Sequence, residues 1–177
     1  MRIALCGEAR SGKDTVAEIL NSSDNFHRIA FGDYMKDAYY KKFPERENAP
    51  KDREHMISFS QPLVELYNRI WIDWAESELT LCDESGAFNN FVITDLRQPH
   101  EEKWCRENGF HIVRVHADIR QRRARAEAKG ETLGKDLPYW VEAEYHIYNS
   151  GSLEDLQSQV DNLLDCLNEI EMKRRRL

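Results

Sequence analysis

The sequence contains no apolar run that approaches the roughly 18 residues of a membrane-spanning helix, which argues against a membrane partner. Residues 2–6 are too short for a secretory leader, and they run directly into a glycine loop. The four cysteines lie far apart and form no Cys-x-x-Cys pair, so free thiols in a reducing compartment are the simplest interpretation. We therefore expect a cytoplasmic protein.

An excess of basic residues is also missing. The 25 lysines and arginines are outnumbered by 32 aspartates and glutamates, for a formal net charge of −7. A nucleic acid polymer needs a broad basic face, so no nucleic acid polymer is expected as a partner. Arginine is nevertheless concentrated locally, which suggests a focused site for a small anion: Arg114, Arg120, Arg122, Arg123 and Arg125.

Motifs for several other chemistries are absent as well. None of the six histidines stands in a metal-ligand pattern, and no Ser/His/Asp or Cys/His hydrolase motif occurs. No repeat, low-complexity tract or linker divides the chain, so its 177 residues predict a single domain.

Short apolar segments alternate with longer amphipathic ones, which predicts an α/β fold with a parallel sheet. The predicted strands are residues 2–6, 27–31, 91–94, 110–116 and 145–148. The predicted helices are residues 13–20, 33–42, 98–108, 118–129 and a final helix whose buried face begins at Leu153. Residues 52–81 are also predicted to be helical. Pro62 is expected to split them in two, and their apolar stripe includes Ile57, Leu66 and Trp74.

Residues 7–13 match the pattern Gly-x-x-x-x-Gly-Lys and lie between a predicted strand and a predicted helix. In such a loop the backbone N–H groups point at phosphate oxygens, the helix N-terminus favours negative charge, and the lysine reaches the β- and γ-phosphates. The pattern predicts nucleotide binding, with a glycine-rich turn that binds no nucleotide as the alternative. The predicted nucleotide-binding residues are Gly7, Arg10, Ser11, Gly12, Lys13, Asp14 and Thr15.

Three residues are candidates for a Mg²⁺ site. Asp14 occupies the position where serine or threonine usually gives a hydroxyl to the metal, and Thr15 follows it. Asp95 ends the third predicted strand, at the edge of the sheet where ligands collect. The alternative for Asp95 is a structural role, as a helix N-cap or as the ion-pair partner of Arg97.

Several basic and acidic groups are candidates for the acceptor and for the transferring group. Arg97 is suited to grip an acceptor phosphate, because a guanidinium makes bidentate contacts with phosphate oxygens. Asp33 and Lys36 open the helix after the second strand, with an N-cap and a solvent-exposed amine as their respective alternatives. Arg120, Arg123 and Arg125 precede a polar segment, as expected of a mobile lid, or else they lie on a solvated helix face.

Together these motifs resemble those of the P-loop nucleoside monophosphate kinase superfamily. The bacteriophage-type deoxynucleoside monophosphate kinases share a loop like residues 10–15, an element like residues 31–36 and an Ile-Thr-Asp-x-Arg strand end like residues 93–97. The animal-type phosphomevalonate kinases are similar in the Ser-Gly-Lys-Asp loop, in the Asp-x-Arg element and in residues 148–153, which precede a leucine-rich helix.

The resemblance implies a three-layer P-loop NTPase fold with about five parallel strands, a helical acceptor-binding insert at about 34–85 and a short lid at about 120–138. It also places Asn149 and Gly151 beside the adenine. Aromatic side chains of the insert are candidates for stacking on an acceptor base, with core packing as the alternative for at least one tryptophan: Trp74 first, then Trp71 and Tyr67.

The same resemblance implies an enzyme that uses ATP and Mg²⁺ to phosphorylate a small phosphorylated acceptor, first of all a nucleoside or deoxynucleoside monophosphate. The catalytic residues would then be Lys13, Arg97, Arg120 and Arg123. A phosphomevalonate-like acceptor, or a regulatory nucleotide-binding protein with little turnover, is the alternative. Homodimer formation stays open at this point.

Overall fold

The computed structural model describes residues 1–49, 52–131, 133 and 139–174. Within these ranges five strands alternate with seven α-helices and a short 3-10 turn at Pro44–Arg46. The elements are β1 (Arg2–Cys6), α1 (Lys13–Asp24), β2 (Phe26–Ile29), α2 (Phe31–Lys42), α3 (Arg53–Leu66), α4 (Ile70–Ser85), β3 (Asn90–Ile93), α5 (Pro99–Glu107), β4 (His111–His116), α6 (Ile119–Glu127), β5 (Tyr145–Tyr148) and α7 (Leu153–Arg174). None of the described helices combines the length and the apolar character that crossing a membrane would require.

The five strands form one parallel sheet in the order β2-β3-β1-β4-β5. The chain moves from β1 to one side of the sheet through β2 and β3, and then to the other side through β4 and β5. A crevice therefore opens above the carboxyl end of β1, where the direction of winding changes, and ligands of doubly wound sheets bind in such a crevice. The predicted parallel α/β sheet is confirmed.

Alternate residues of the central strand face two separate apolar layers. Ile3 and Leu5 pack with side chains of α1 and α7, whereas Ala4 and Cys6 pack with side chains of α2, α4 and α5. Because both faces of the strand are covered, nearly all of its residues are apolar. Helices on both faces of the sheet make the three layers that the sequence led us to expect.

The break in the predicted helical segment 52–81 is not where the sequence placed it. α3 continues through Pro62 to Leu66, and the chain turns at residues 67–69. Tyr67 is extended there, and its hydroxyl donates to Asp73 at 2.5 Å across the turn. The proline was a misleading indicator, because hydrogen bonds from Tyr67 and Arg69 to Asp73 at the start of α4 stabilise the turn at that place.

Two other predicted features of the helices are also wrong. α2 begins at Phe31 rather than at Asp33, because the carboxylate of Asp95 accepts hydrogen bonds from the first two N–H groups of the helix. Four apolar side chains expected in the core are exposed, at 42%, 86%, 60% and 62% respectively: Ile57, Leu66, Trp74 and Leu153. The helix faces that are buried instead carry Met56 and Val64 on α3 and Trp71, Ile72, Ala75 and Leu79 on α4.

Candidate functional site

The phosphate loop lies where the sequence placed it, between β1 and α1. Gly7 and Gly12 have φ values of 133° and 102°, a region that favours glycine. A Cβ atom at Gly7 would lie 2.4 Å from the Val115 carbonyl oxygen, and one at Gly12 would lie 2.0 Å from Asn149 Nδ2. Both glycines are therefore required by conformation and by space, which accounts for their positions in the motif.

Lys13 lies over the loop that precedes it. The side chain is buried, and Nζ donates to the carbonyl oxygens of Gly7 at 2.9 Å and Glu8 at 3.0 Å. The hydroxyl of Ser11 is buried without a hydrogen-bond partner among the described residues. The Lys13 ammonium and the unpaired Ser11 hydroxyl are both hydrogen-bond donors. They suit a bound anion, because its oxygens would accept hydrogen bonds from them.

Arg10 has an unusual backbone conformation for a residue with a side chain. Its φ is 63°, in the left-handed region, which costs about 1 kcal/mol or more. The guanidinium forms an ion pair with Glu131, just beyond α6. Such strain persists where surrounding contacts fix the backbone. Here the contacts are the ion pair with Glu131 and a hydrogen bond from Arg125 of α6 to the Arg10 carbonyl.

Two arginines of α6 bind the loop: Arg125, one of the three lid candidates, and Arg122, which the sequence had placed only in the local arginine cluster. Arg122 donates from Nε to the carbonyl of Ala9 at 2.8 Å and pairs with Glu8 at 2.6 Å. Arg125 donates to the carbonyls of Arg10 at 3.2 Å and Ser11 at 3.3 Å. The face of α6 that carries these two arginines is the one turned to the loop.

Arg120 and Arg123, the predicted catalytic arginines, lie on the exposed side of α6. Within the described residues their side chains form no hydrogen bond or ion pair. Helical periodicity could have separated Arg120 and Arg123 from Arg122 and Arg125, because residues three apart share a face of a helix. The apolar Ala126, which is buried like Arg122, indicates which of the two faces is buried. The predicted lid extends to residue 138, and residues 132 and 134–138 lie outside the described ranges.

Asn149 and Gly151 follow β5, at the turn that the resemblance places beside the adenine. The Asn149 side chain is buried, and its Nδ2 donates to the carbonyl of Ser11 at 2.9 Å. A Cβ atom at Gly151 would lie 2.6 Å from the Asp155 carboxylate, which accepts from Ser152 N at 2.9 Å at the start of α7. The turn is thus tied to the phosphate loop by Asn149 and to α7 by its cap.

Asp95 lies at the expected edge of the sheet, where it caps α2. Its two carboxylate oxygens accept from the backbone N–H groups of Phe31 at 3.0 Å and Gly32 at 2.7 Å. The structural alternative therefore holds in part: Asp95 is a cap, although for a helix that begins 64 residues earlier in the chain. Arg97 is exposed and forms no ion pair with Asp95 among the described residues.

The acidic groups at this edge surround one guanidinium. Arg28, at the end of β2, and Lys36 both bind Asp33 at 2.6 Å. Burial lowers the pKa of Arg28, but the carboxylates of Asp33, Asp95 and Asp14 outweigh it and raise the pKa above its ordinary value. For Asp33, burial raises the pKa, and the hydrogen bonds from Arg28 and Lys36 together lower it below the usual range.

Asp14 and Asp95, the two carboxylates predicted to hold Mg²⁺, are both near enough to Arg28 to raise its pKa. Asp14 is exposed on the first turn of α1, and the hydroxyl of Thr94, next to Asp95, is buried without a partner among the described residues. No cluster of three acidic, histidine or cysteine side chains occurs in the described part of the chain. Mg²⁺ in phosphate-transfer sites needs only one or two carboxylates, with phosphates and waters as its other ligands.

A cavity of about 160 Å³ adjoins the phosphate loop on the side of β3 and β4. Three arginines line it together with one acidic residue, Glu8: Arg53 from the start of α3, Arg97 after β3 and Arg114 from β4. Trp140 covers Arg114, with the guanidinium carbon 3.6 Å from the ring centroid. Burial raises the pKa of Cys6, at the base of this cavity, to about 11, which keeps the thiol protonated and unreactive.

Sequence reasoning named Arg97 and Arg114 as candidates for binding an anion, but it missed Arg53 and Trp140. Arg53 and Trp140 lie in segments without a recognisable motif, and only folding brings them beside Arg97. Arg114 offered a clue, because a charged residue within the buried strand β4 is unusual unless it is paired or functional. Its Nε is buried without a partner among the described residues, while Nη2 donates to the Val141 carbonyl.

Trp74, the predicted base-stacking residue, is exposed on α4 and stacks with Tyr34, with 6.3 Å between ring centroids. It does not line the arginine pocket. Trp71 is buried in the core, as the alternative for one tryptophan anticipated. The role predicted for Trp74 stays a prediction.

Glu101, in the first turn of α5, is buried against the segment 94–98 that precedes the helix. Its carboxylate accepts hydrogen bonds from the N–H groups of Arg97 and Gln98. Burial raises its pKa from 4.5 to about 8, and the charge of Asp95 adds to that effect. The folded protein therefore binds this proton more tightly than the unfolded chain does. Its contribution to stability is complete below about pH 4.5 and is lost as the pH rises towards 8.

We expect Glu101→Gln to flatten the pH dependence of stability, because glutamine keeps an acceptor oxygen and does not titrate. In the wild type the free energy of unfolding should fall between pH 4.5 and 8, with a slope of at most about 1.4 kcal/mol per pH unit from this group. Urea unfolding across that range measures the slope. Equal slopes in the two proteins would contradict the assignment.

Comparison with known proteins agrees with this architecture. The sequence model of the family described as AAA domain matches residues 3–149. No curated protein sequence matches the chain.

Solved structures share the fold over nearly the whole chain. TT1252 from Thermus thermophilus is similar with a TM-score of 0.59 and 23% identity, covering 94% of this chain and 97% of that one. A gluconokinase from Sinorhizobium meliloti 1021 has a TM-score of 0.59 and 15% identity, with coverage of 98% and 96%. A shikimate kinase from Bacteroides thetaiotaomicron has a TM-score of 0.54 and 16% identity, with coverage of 95% and 98%. At such identities the similarity establishes a common fold.

Proposed function

The chain belongs to the AAA domain family, and from that membership and the geometry of the site we propose that it is an ATP-dependent P-loop kinase for a small phosphorylated acceptor. The observation that carries the proposal is the arginine pocket beside the phosphate loop. The proposed position of the γ-phosphoryl group therefore lies between Lys13 on the donor side and the arginine pocket on the acceptor side. The fold shared with a gluconokinase and a shikimate kinase supports kinase activity in general.

The donor half of the site is the loop from Gly7 to Lys13. Its backbone N–H groups, the N-terminus of α1 and the Lys13 ammonium would bind the phosphates of ATP. The buried hydroxyl of Ser11 would gain a phosphate oxygen as the acceptor that it otherwise lacks. Mg²⁺ bound at Asp14 and Asp95 would neutralise charge on the β- and γ-phosphates.

The acceptor half is the pocket lined by Arg53, Arg97 and Arg114. Three guanidinium groups around one small cavity favour an acceptor that carries a phosphate dianion over a neutral alcohol. Trp140 offers an exposed aromatic face at the mouth, which suits a nucleobase. A deoxynucleoside or nucleoside monophosphate is therefore our preferred acceptor, and a phosphomevalonate-like phosphate is the alternative.

The chemistry proposed here needs no general base. An acceptor phosphate is already anionic at neutral pH, so its oxygen attacks the γ-phosphorus of ATP without losing a proton in the step. Arg97 and Arg114 would align that oxygen and offset the charge that develops during transfer. The products are ADP and an acceptor that carries one more phosphate.

A screen of acceptors with ATP and Mg²⁺ tests this proposal. We expect ADP formation that depends on a nucleoside or deoxynucleoside monophosphate. Activity with phosphomevalonate alone would select the alternative acceptor. Transfer to gluconate or shikimate with no phosphorylated substrate would overturn the acceptor class. Tight ATP binding with no transfer to any acceptor would instead indicate a regulatory nucleotide-binding protein.

Arg97→Ala tests the acceptor half separately from the donor half. Losing a charge-assisted contact to the acceptor phosphate should raise the KM of the acceptor roughly 10- to 100-fold, with little change in the KM of ATP. Lys103→Ala is the matched control, because it removes one positive charge from the neighbouring α5 outside the pocket lining. Equal effects of the two variants on the acceptor KM would contradict the role of Arg97.

A further inference from the structure

The phosphate loop is held from behind by side chains of two other segments. Arg125 Nη1 donates to the carbonyls of Arg10 and Ser11, and its Nη2 donates to the carbonyl of Asn149 at 3.0 Å. The Asn149 side chain donates in turn to the Ser11 carbonyl. The Ser11 oxygen thus accepts from both side chains, and we call Arg125, Asn149 and this carbonyl the loop clasp.

The clasp has a fixed base. Asn149 is buried, and its backbone N–H donates to the His116 carbonyl at 2.7 Å, which joins it to the carboxyl ends of β4 and β5. Gly12 packs against the amide group so closely that a Cβ atom there would overlap with Nδ2. Arg122 adds a parallel contact to the Ala9 carbonyl.

These contacts determine which way the loop peptides face. In a trans peptide the carbonyl of one residue points opposite to the N–H of the next. Side chains that bind the carbonyls of Ala9 and Ser11 therefore turn the N–H groups of Arg10 and Gly12 towards the opposite side of the loop. That is the side on which backbone N–H groups can converge on an anion.

We propose that Arg125 and Asn149 are positioning residues that hold the phosphate loop in its anion-binding conformation before nucleotide arrives. This inference deepens the proposed function, since it assigns a task to the donor site on which that function rests. The positioning role differs from the lid role predicted for the arginines of α6, because lid arginines would touch the transferring phosphate. Arg125 contacts three backbone carbonyls and acts through the shape of the loop.

The fork of the guanidinium is essential to this arrangement. Two nitrogen atoms of Arg125 reach carbonyls on two separate segments at the same time. A lysine at this position keeps the charge, but its single ammonium cannot reproduce the fork. Arg125→Lys therefore separates loop positioning from electrostatic attraction of phosphate.

NMR relaxation of the nucleotide-free protein tests the clasp without any catalytic assay. In the wild type the backbone amides of Arg10, Ser11 and Gly12 should be rigid, with order parameters of about 0.85. Arg125→Lys and Arg125→Gln should both lower these values below about 0.6 and leave the strands unchanged. Asn149→Ala should do the same with no change in charge, which covers the case that an arginine variant does not fold.

Arg106→Gln is the matched control, because Arg106 also donates to a backbone carbonyl, that of Glu142, away from the phosphate loop. Its loop order parameters should equal those of the wild type. Unchanged loop order in Arg125→Lys and in Asn149→Ala would overturn the proposal.

Calorimetric titration with tripolyphosphate, which has no base or ribose, gives a second readout. Arg125→Lys should weaken tripolyphosphate and ATP binding by the same factor, roughly tenfold or more, because both ligands need the same loop. Retained affinity in this variant would show that charge alone matters, and would overturn the clasp. A loosened loop in a protein that phosphorylates no acceptor would refute the kinase proposal and leave the clasp standing.

Discussion

Replacing Lys13 with alanine is expected to remove most γ-phosphoryl transfer while the fold stays intact. Lys13 is the cation that would neutralise the β- and γ-phosphates, and losing one such preorganised donor costs on the order of 100- to 1000-fold in turnover. The side chain bonds to carbonyls within its own loop rather than to the core, so the sheet should not change. Initial rates of acceptor-dependent ADP formation measure the loss.

The Lys13 experiment needs a fold measurement and a charge control beside the rate. Circular dichroism of Lys13→Ala should match that of the wild type. Lys103→Ala should keep wild-type turnover, because Lys103 lies exposed on α5 and pairs only with Glu107 among the described residues. Near-normal turnover in Lys13→Ala would mean that the loop has been assigned the wrong role.

Replacing Gly12 with alanine should strongly weaken ATP binding. The φ of 102° is unfavourable for alanine, at a cost of about 1–3 kcal/mol, and the new Cβ would lie 2.0 Å from Asn149 Nδ2. Something must move, and both neighbouring segments are fixed, so the loop and the Asn149 contact cannot both persist. We expect ATP affinity to fall by roughly 100-fold or more, as measured by calorimetric titration.

Gly86→Ala separates backbone strain from steric overlap. Gly86 has a φ of 64°, and nothing lies within 4 Å of an added Cβ atom there. This control should lose only about 1–2 kcal/mol of stability and keep wild-type ATP affinity. Equal ATP affinity in Gly12→Ala and Gly86→Ala would contradict the tight packing inferred at the phosphate loop.

Local patterns were sufficient for much of the fold. The predicted last strand, residues 145–148, coincides with β5, and the phosphate loop lies between the predicted strand and helix. Both rest on interactions between near neighbours, namely strand alternation and a glycine motif with defined backbone requirements. The α/β class followed from the order of such segments.

Features that depend on distant residues were not accessible in this way. The start of α2 is set by Asp95, which caps it across the sheet, and no local signal near Phe31 indicates this. The turn at residues 67–69 is stabilised by hydrogen bonds from Tyr67 and Arg69 to Asp73 of α4, so the isolated Pro62 was misleading. Tertiary contacts override local propensity in both cases.

The candidate site shows the same division. The sequence identified the donor loop and included Arg125 among the lid candidates, but it assigned catalytic roles to Arg120 and Arg123, which are exposed, and gave no role of its own to Arg122, which binds the loop together with Arg125. Helical phase could have corrected this choice. For the acceptor pocket the sequence named Arg97 and Arg114, but it could not add Arg53 and Trp140, which come from separate segments that meet only in the folded protein.

Phosphorus-31 NMR of the protein with ATP, Mg²⁺ and a panel of deoxynucleoside monophosphates tests the central claim most directly. We predict that the γ-phosphate signal of ATP falls towards an equilibrium value, while the β-phosphate signals of ADP and of a deoxynucleoside diphosphate grow in equal amounts. Orthophosphate should not accumulate. Release of orthophosphate without a new diphosphate, or an unchanged ATP spectrum with every phosphorylated acceptor, would contradict phosphoryl transfer by this protein.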